Sequence, residues 1–326
     1  MSAFNVEPYL RKSLECIVNQ TFTDTEIICM NDGSTDGTLA ILEEFAAKDD
    51  RIIVIDKKVN QGLAVARNEA LDLAKGKYVA FVDGDDLFDL DLFRKAYECA
   101  EENACDLLFW DYAVFWDERG LKKQRQIASS LNSVSPTDKS ALLKRPAFAW
   151  TKLVRTDAAK SLGVTFPKGL TRQDIPVHWQ LITQLDKIAI IPERLAFYRQ
   201  HASATTHRTD KSNFDMIRVY DIVKDFLIEN DLFDQYRDVF RFLQTNVFCN
   251  VHDNTPKSSQ AAAMSMILER LDDDALRYTE GKNDLSRRVL DFYAALGGSK
   301  VAKIRRHVRR HTRDVYRALR SLKNEK

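Results

Sequence analysis

Short apolar segments alternate with amphipathic helical segments through the first 110 residues, and this alternation constrains the fold more than any other feature. Apolar residues at helical spacing predict helices, and compact runs rich in β-branched residues predict buried strands. The predicted helices are Glu7–Asn19, Thr38–Lys48, a segment from Asn60 to Lys75, and Phe88–Glu102; the predicted strands are Glu26–Met30, Arg51–Ile55, Tyr78–Val82 and Asp106–Trp110. Strands joined by helical crossovers pair in parallel. The sequence therefore predicts a Rossmann-like α/β fold, with a mostly parallel sheet covered by helices on both faces.

The strand pattern ends near residue 205, and only amphipathic helical segments follow it. The polar stretch His201–Thr209 is expected to separate an α/β domain, residues 1–205, from a helical C-terminal domain, residues 206–299. The helices predicted for this second domain are Phe214–Ile228, Tyr236–Val251, Ser258–Leu271 and Leu285–Leu296.

Residues 300–326 form a third region, in which apolar and basic residues fall on opposite faces of a predicted helix. Two interpretations stay open for this basic amphipathic helix. It lies on an anionic membrane surface, or its apolar stripe packs against the chain's own helical domain.

The composition of the chain indicates its cellular location and the classes of partner that it can bind. The net charge is +1, which gives no indication of a nucleic-acid partner. No apolar run approaches the roughly 18 residues that a membrane span requires. The five cysteines form no C-x-x-C pair and no zinc-like cluster, and most lie in apolar surroundings, which is typical of buried thiols in a reducing compartment. A cytoplasmic protein is expected, with peripheral attachment to the inner face of the cell membrane through residues 300–326 as an open question.

The stretch Tyr78–Asp86 is a predicted strand that ends in three carboxylates around Gly84. Ligands of open α/β sheets bind at the carboxyl ends of strands, and a divalent cation is a common partner for such carboxylates. Glycine there lets the backbone approach a ligand closely. The alternative is an ordinary turn in which Asp86 caps the next helix.

Further polar motifs follow the neighbouring strands in a fixed order. They are Ser2–Glu7, Asn19–Phe22, Asn31–Asp36, Asn60 to Asn68 with its Ala66-Arg67-Asn68 run, and Tyr78–Asp86. In this order and spacing, the motifs over residues 1–205 resemble glycosyltransferase family 2, the inverting enzymes with the GT-A fold. The resemblance implies a metal-dependent transferase that moves a sugar from a nucleotide-sugar donor, with UDP as the expected nucleotide. The implied acceptor is a glycan or lipid-linked molecule of bacterial surface polysaccharide or lipopolysaccharide synthesis.

The same resemblance implies roles for individual residues. The residues expected to bind the nucleotide-sugar are Phe4, Glu7, Asp32, Arg67 and Asp83. A divalent metal ion, Mn²⁺ or Mg²⁺, would be held by Asp83, Asp85 and His201. Three alternatives stay open: Asp32 forms an Asx-turn, Arg67 is a surface charge of its helix, and His201 is a solvated loop residue.

The acceptor side is expected around a later predicted helix that begins near Gln173. Family members carry an acidic pair at this position, and here the first acid is replaced by Gln173. Asp174 matches the position of the catalytic base; the alternative is a first-turn residue favoured by the helix dipole. Trp150 and Lys152 resemble the acceptor-side W-x-K motif of the family.

One further departure concerns the start of the chain. Family members begin with an apolar strand of about five residues, whereas here the Phe4-Asn5 motif follows Met1 almost at once. We expect the first strand to be truncated and the natural protein to start upstream of Met1. With Gln173, this departure motivates a second hypothesis, a non-catalytic nucleotide-sugar-binding or scaffold protein derived from the same fold.

Overall fold

The computed structural model describes residues 1–116, 120–121, 128–201 and 209–270, in which strands and helices alternate as the sequence predicts. The strands are β1 (Ser2–Ala3), β2 (Ile27–Asp32), β3 (Ile52–Lys57), β4 (Tyr78–Ala80), β5 (Leu87–Phe88), β6 (Leu107–Phe115), β7 (Lys152–Arg155) and β8 (Ile188–Arg199). The helices are α1 (Glu7–Val18), α2 (Thr38–Ala46), α3 (Leu63–Leu73), α4 (Leu92–Glu102), α5 (Lys139–Leu143), α6 (Thr156–Ser161), α7 (Asp174–Gln184), α8 (Thr209–Glu229), α9 (Phe233–Asn254) and α10 (Lys257–Arg270). Contacts divide the chain into two units, Met1–Ala204 and Thr205–Lys326.

The strands of the first unit form two sheets that meet at Ser2. The sheet β1-β2-β3 is parallel throughout, whereas the sheet β4-β7-β6-β8-β5 is mixed, with β6 and β8 parallel and its other neighbours antiparallel. The Ser2 amide donates to the Val82 carbonyl over 3.1 Å, and the Gly84 amide donates to the Ser2 carbonyl over 3.1 Å. Strand β1 therefore lies between β2 and the segment that follows β4, which is the segment that carries Asp83.

Strand β1 is only two residues long. Ser2 is paired with Met30 of β2, and Met1 adds two backbone contacts at the same edge. The α-amino group of Met1 donates to the Ile28 carbonyl over 2.6 Å, and the Met30 amide donates to the Met1 carbonyl over 2.8 Å.

Strand β2 is buried on both faces, which explains its continuous apolar sequence. Ile27 and Cys29 belong to a core cluster that contains the apolar residues of α1 and α2. Ile28 and Met30 belong to a second cluster with Ala66 of α3. Because successive side chains of a strand point to opposite faces, helices cover both faces of the parallel sheet, and the predicted α/β class is confirmed.

The segment after Asp86 differs from the prediction. Leu87 and Phe88 form strand β5 at the edge of the mixed sheet, paired with Phe197 and Ala196 of β8, and the helix predicted from Phe88 begins at Leu92. Pairing with β8 and burial of Phe88 override the helical pattern of the local sequence. Asp86 is therefore followed by a strand, so the alternative in which it caps the next helix is wrong.

The second unit is helical in its described part, 209–270. Helices α8, α9 and α10 bury apolar residues against one another, including Tyr220, Phe240 and Ile267. None of the helices in the described parts of the chain is long and apolar enough to span a membrane. The predicted helix Leu285–Leu296 and the basic amphipathic helix 300–326 lie outside the described residues.

Candidate active site

Three carboxylates follow β4 at the junction of the two sheets. The chain passes so close to α1 there that a Cβ on Gly84 would lie 3.2 Å from both the Ser2 carbonyl and the Val6 side chain. A glycine at this position therefore lets the segment pack closely alongside β1, and Asp83 and Asp85 flank that glycine.

Arg67 is the central residue of the site, because it links Asp83 to Asp174. Its Nη2 donates to Asp83 Oδ1 and Oδ2 over 3.0 and 3.2 Å, and its Nη1 donates to Asp174 Oδ1 over 2.6 Å. The guanidinium also lies over the Phe166 ring, 5.4 Å from the centroid. Arg67 is only 1% exposed, so the alternative of a surface helix charge is wrong.

Burial and mutual repulsion act on the carboxylates of this cluster. Burial raises the pKa of Asp83, the Arg67 guanidinium opposes that rise, and the charges of Asp85 and Asp174 add to it. Burial also holds the pKa of Asp86 well above its usual range, and the charges of Asp85 and Asp83 add to this effect. Excess negative charge in a buried cluster favours the binding of a cation.

His201 and Asp85 form a second contact at the same junction. His201 Nε2 lies 3.0 Å from Asp85 Oδ2, and the imidazole packs on the Tyr9 ring at a centroid distance of 4.4 Å. The Arg199 side chain donates from Nε to the Asp85 carbonyl over 2.8 Å, and its amide donates to Asp86 over 2.8 Å. The His201 side chain is thus packed and paired, which contradicts the alternative of a solvated loop histidine.

Asp32 ends β2 and fixes the loop before α3. Its two carboxylate oxygens accept from the amides of Gln61 and Gly62, over 2.9 and 2.8 Å. The Asx-type contact of this region comes from Asn31, whose side chain accepts from the Ser34 amide over 3.4 Å. The alternative of an Asx-turn at Asp32 is therefore wrong, and Asp32 connects the end of β2 to the loop between β3 and α3.

Phe4 and Glu7 lie beside the loop that follows β2. Phe4 is 41% exposed, so part of this residue is accessible to a ligand. Glu7 is used within the protein, because its carboxylate accepts from the Gly37 amide over 2.8 Å. The Glu7 amide donates in return to Asp36 over 3.1 Å. These contacts hold the loop against the start of α1.

Asp174 is the first residue of α7, and both of its carboxylate oxygens are held. Oδ1 accepts from Arg67, and Oδ2 accepts from the Ala149 amide over 3.1 Å. The side chain keeps 17% of its surface exposed, so the carboxylate is oriented but still reachable. Gln173, at the position of the missing acid, is buried, and its Oε1 has no hydrogen-bond partner among the described residues.

Trp150 and Lys152, predicted on the acceptor side, are both buried. The Trp150 ring stacks on Phe148 at a centroid distance of 4.7 Å. Lys152 is 2% exposed, donates from Nζ to the Phe148 carbonyl over 2.5 Å, and lies over the Phe109 ring. Burial lowers the pKa of Lys152 to about 7, against the raising effect of Asp174. Lys152 lines a small cavity together with Asp174, and contact of Trp150 and Lys152 with an acceptor stays a prediction.

The structure thus brings together Arg67, Asp83, Asp85, Asp174 and His201. Asp32 lies at the end of β2, Phe4 directly follows β1, and Glu7 is the first residue of α1. Sequence reasoning missed Tyr9, which packs on His201, and the Ala149 amide, which holds Asp174. A backbone donor leaves no signal in a sequence, because every residue except proline carries one.

Comparison with known proteins gives a family and a fold. The family model described as glycosyl transferase family 2 matches residues 1–163. The putative glycosyltransferase EpsH of Bacillus subtilis (strain 168) is 30% identical over 257 residues, which make up 76% of this chain and 74% of that protein.

Two solved structures resemble the chain over most of its length. S. aureus TarS 1–349 in complex with UDP-GlcNAc superposes with a TM-score of 0.60 at 18% identity, covering 90% of this chain and 89% of that one. The mannosyltransferase PcManGT from Pyrobaculum calidifontis, in complex with GDP-Man and Mn²⁺, superposes with a TM-score of 0.51 at 15% identity, covering 99% and 85%. At sequence identities of 18% and 15%, the similarity shows a shared fold and nothing more. The predicted GT-A architecture is therefore confirmed.

Proposed function

Because the chain belongs to glycosyl transferase family 2, and is therefore a glycosyltransferase, we propose that it moves a sugar with inversion from a UDP-sugar to a glycan or lipid-linked acceptor. One observation carries this proposal: the buried Arg67 guanidinium binds Asp83 on one side and Asp174 on the other. Asp83, the proposed donor-side carboxylate, and Asp174, the proposed base, are thereby held on either side of the same guanidinium group. An inverting displacement needs a base near the donor, because the base must deprotonate the acceptor hydroxyl that attacks the anomeric carbon on the face opposite the departing diphosphate.

A divalent metal ion, Mn²⁺ or Mg²⁺, belongs to the proposal. Asp85 and His201 would hold it, with Asp83 beside them, and these oxygen and nitrogen donors fit such an ion. Within the described ranges, no group of three or more His, Cys, Asp and Glu side chains is arranged as a complete metal site. That is compatible with the proposal, because Mg²⁺ is commonly held by one or two carboxylates and substrate phosphates. When bound, the ion would neutralise charge on the departing diphosphate.

The nucleotide is proposed to lie along the strand ends from Phe4 to Asp83. The exposed ring of Phe4 offers an apolar face for uracil, and Asp32 fixes the loop that borders the base. The UDP-GlcNAc complex of S. aureus TarS, a protein of the same fold, supports UDP as the nucleotide. The sugar itself is left open by these contacts.

The proposed reaction is a single displacement. An acceptor hydroxyl gives its proton to Asp174 as its oxygen bonds to the anomeric carbon, and the bond from that carbon to the phosphate oxygen breaks. The nucleoside diphosphate leaves with the bonding electrons. Arg67 holds the Asp174 carboxylate on the side of Asp83, where the donor is proposed to bind, and the partial exposure of Asp174 would admit the hydroxyl.

The physiological acceptor is proposed to belong to bacterial surface polysaccharide synthesis. A lipid-linked acceptor would agree with the basic pattern of residues 300–326, which would place the enzyme at an anionic membrane surface. Vesicle flotation of the full chain with and without anionic lipid tests that part of the proposal.

A screen of UDP-sugars tests the activity itself. We expect at least one UDP-sugar to release UDP in the presence of Mn²⁺, since water can replace the acceptor slowly, and we expect release to stop with EDTA. The same donor should raise the melting temperature when Mn²⁺ is present, because ligand bound to the native state stabilises it. Stabilisation by donors without any turnover, even with lipid-linked glycan extracts added, would instead support a binding protein.

A further inference from the structure

The segment Phe148–Lys152 forms a buried turn whose hydrogen bonds converge on one carbonyl. The Phe148 carbonyl accepts from the Thr151 amide over 3.4 Å, from the Thr151 hydroxyl over 2.8 Å and from Lys152 Nζ over 2.5 Å. Trp150 and Phe148 stack with their rings inclined by 10°. Lys152, the first residue of β7, thus links its side chain back to the first residue of the turn.

The same turn presents a backbone donor to the proposed base. The Ala149 amide binds Asp174 Oδ2, while Arg67 binds Oδ1. A single hydrogen bond to one oxygen would leave the carboxylate free to rotate. One hydrogen bond to each of the two oxygens fixes the plane of the carboxylate. The position of the Ala149 amide depends on the turn, and the turn depends on the donors that meet at Phe148.

We propose that Lys152 is a positioning residue for the transfer reaction, which braces the Phe148–Thr151 turn and thereby keeps the Ala149 amide on Asp174. This inference rests on the proposed function, in which Asp174 is the base. The hydrogen bonds of the turn connect Lys152 to Asp174, and only 2% of Lys152 is exposed to solvent. Its role differs from that of Arg67, which touches both carboxylates directly.

The free-energy cost of burying the Lys152 amine indicates that this side chain has a functional role. Burial of an amine disfavours its charged form, and this burial lowers the pKa of Lys152 to about 7. A methionine would fill the same space without that cost. What methionine lacks is a donor for the Phe148 carbonyl, and the buried carbonyl would then lose one of its partners.

Two nearly isosteric variants separate the donor from the packing. Lys152→Gln keeps an N–H group near the Phe148 carbonyl, and Lys152→Met removes it. In Lys152→Met, we expect the Ala149 amide to exchange with solvent about tenfold faster, as loss of one buried hydrogen bond allows. We expect kcat for UDP release from UDP-GlcNAc, or from the UDP-sugar that the screen selects, to fall about 10- to 100-fold with KM unchanged. Lys152→Gln should recover most of both losses.

The matched control is Lys95→Met, which removes a lysine whose partner is the exposed Glu193, and it should change neither readout. If the Ala149 amide exchanges at the wild-type rate in Lys152→Met, Lys152 does not brace the turn, and this conclusion holds at any level of activity. If the amide exchanges faster but kcat is unaltered, the turn does not position Asp174 for the reaction. A raised acceptor KM with normal hydrolysis would instead identify an acceptor contact and also overturn the inference. Absence of turnover by the wild type with every UDP-sugar would count against the proposed function, and the exchange of Ala149 would still test the brace.

Discussion

Asp174→Asn is expected to lower kcat for UDP release about 1,000-fold while leaving the affinity for UDP and Mn²⁺ within about twofold of the wild type. The amide of asparagine can keep its contact with the Ala149 amide through its oxygen, but it cannot accept a proton from the attacking hydroxyl. Arg67 would still bind Asp83, so the donor side of the site stays formed. Initial rates over a range of donor concentrations, with calorimetric titration of UDP, give both quantities.

A matched control for this variant is Asp157→Asn. Asp157 is also an acidic residue in the first turn of a helix, α6, and its side chain is 72% exposed. It should retain full activity. A loss of less than about tenfold in Asp174→Asn would show that another group removes the proton.

Arg67→Met is expected to have the largest effect on stability, lowering the free energy of unfolding by about 3–5 kcal/mol near neutral pH. The variant leaves Asp83 and Asp174 partly buried and facing each other without the cation that now lies between them. Urea unfolding measures the loss. Arg94→Met is the matched control, because Arg94 also pairs with two acids, Asp91 and Glu98, but at the exposed surface. Its effect should stay under about 1 kcal/mol.

The deficit of Arg67→Met should also depend on pH. The pKa of Asp83 is already raised by burial, and removal of Arg67 raises it further. A carboxyl whose folded-state pKa lies above its unfolded value binds more protons when folded, so stability falls as pH rises through that window. The deficit should therefore be smaller at about pH 5 than at about pH 7.5. Adding Asp174→Asn to Arg67→Met should recover part of the stability, whereas additive losses would contradict an unpaired charge as the cause.

The elements of the first unit could be predicted from periodicity because their apolar patterns are long. Strand β2 and helices α1 and α2 are found within two residues of their predicted bounds. Strand β5 could not be found in this way, because Leu87–Phe88 is too short to show alternation and owes its conformation to pairing with β8. The conversion of the mostly parallel sheet into a mixed one at β7 likewise depends on long-range pairing.

The candidate site could be predicted as residue types at strand ends, but not as a set of contacts. Arg67 contacts Asp83 and Asp174, which lie 16 and 107 positions away in the sequence. Contacts over such separations cannot be predicted from the spacing of motifs alone. Lys152 illustrates the same limit. A basic residue in an apolar segment can lie on either face of a strand, and only the packing of β7 between β4 and β6 buries it.

The most direct test of the proposed site is calorimetric titration of UDP into the full chain with Mn²⁺ or with EDTA, because UDP is common to every donor considered. We predict binding that requires Mn²⁺ and weakens at least about tenfold in Asp85→Asn, with Asp91→Asn, an exposed acid before α4, unchanged. Binding of equal strength in EDTA, or in Asp85→Asn with Mn²⁺, would contradict a metal-assisted diphosphate site at these carboxylates.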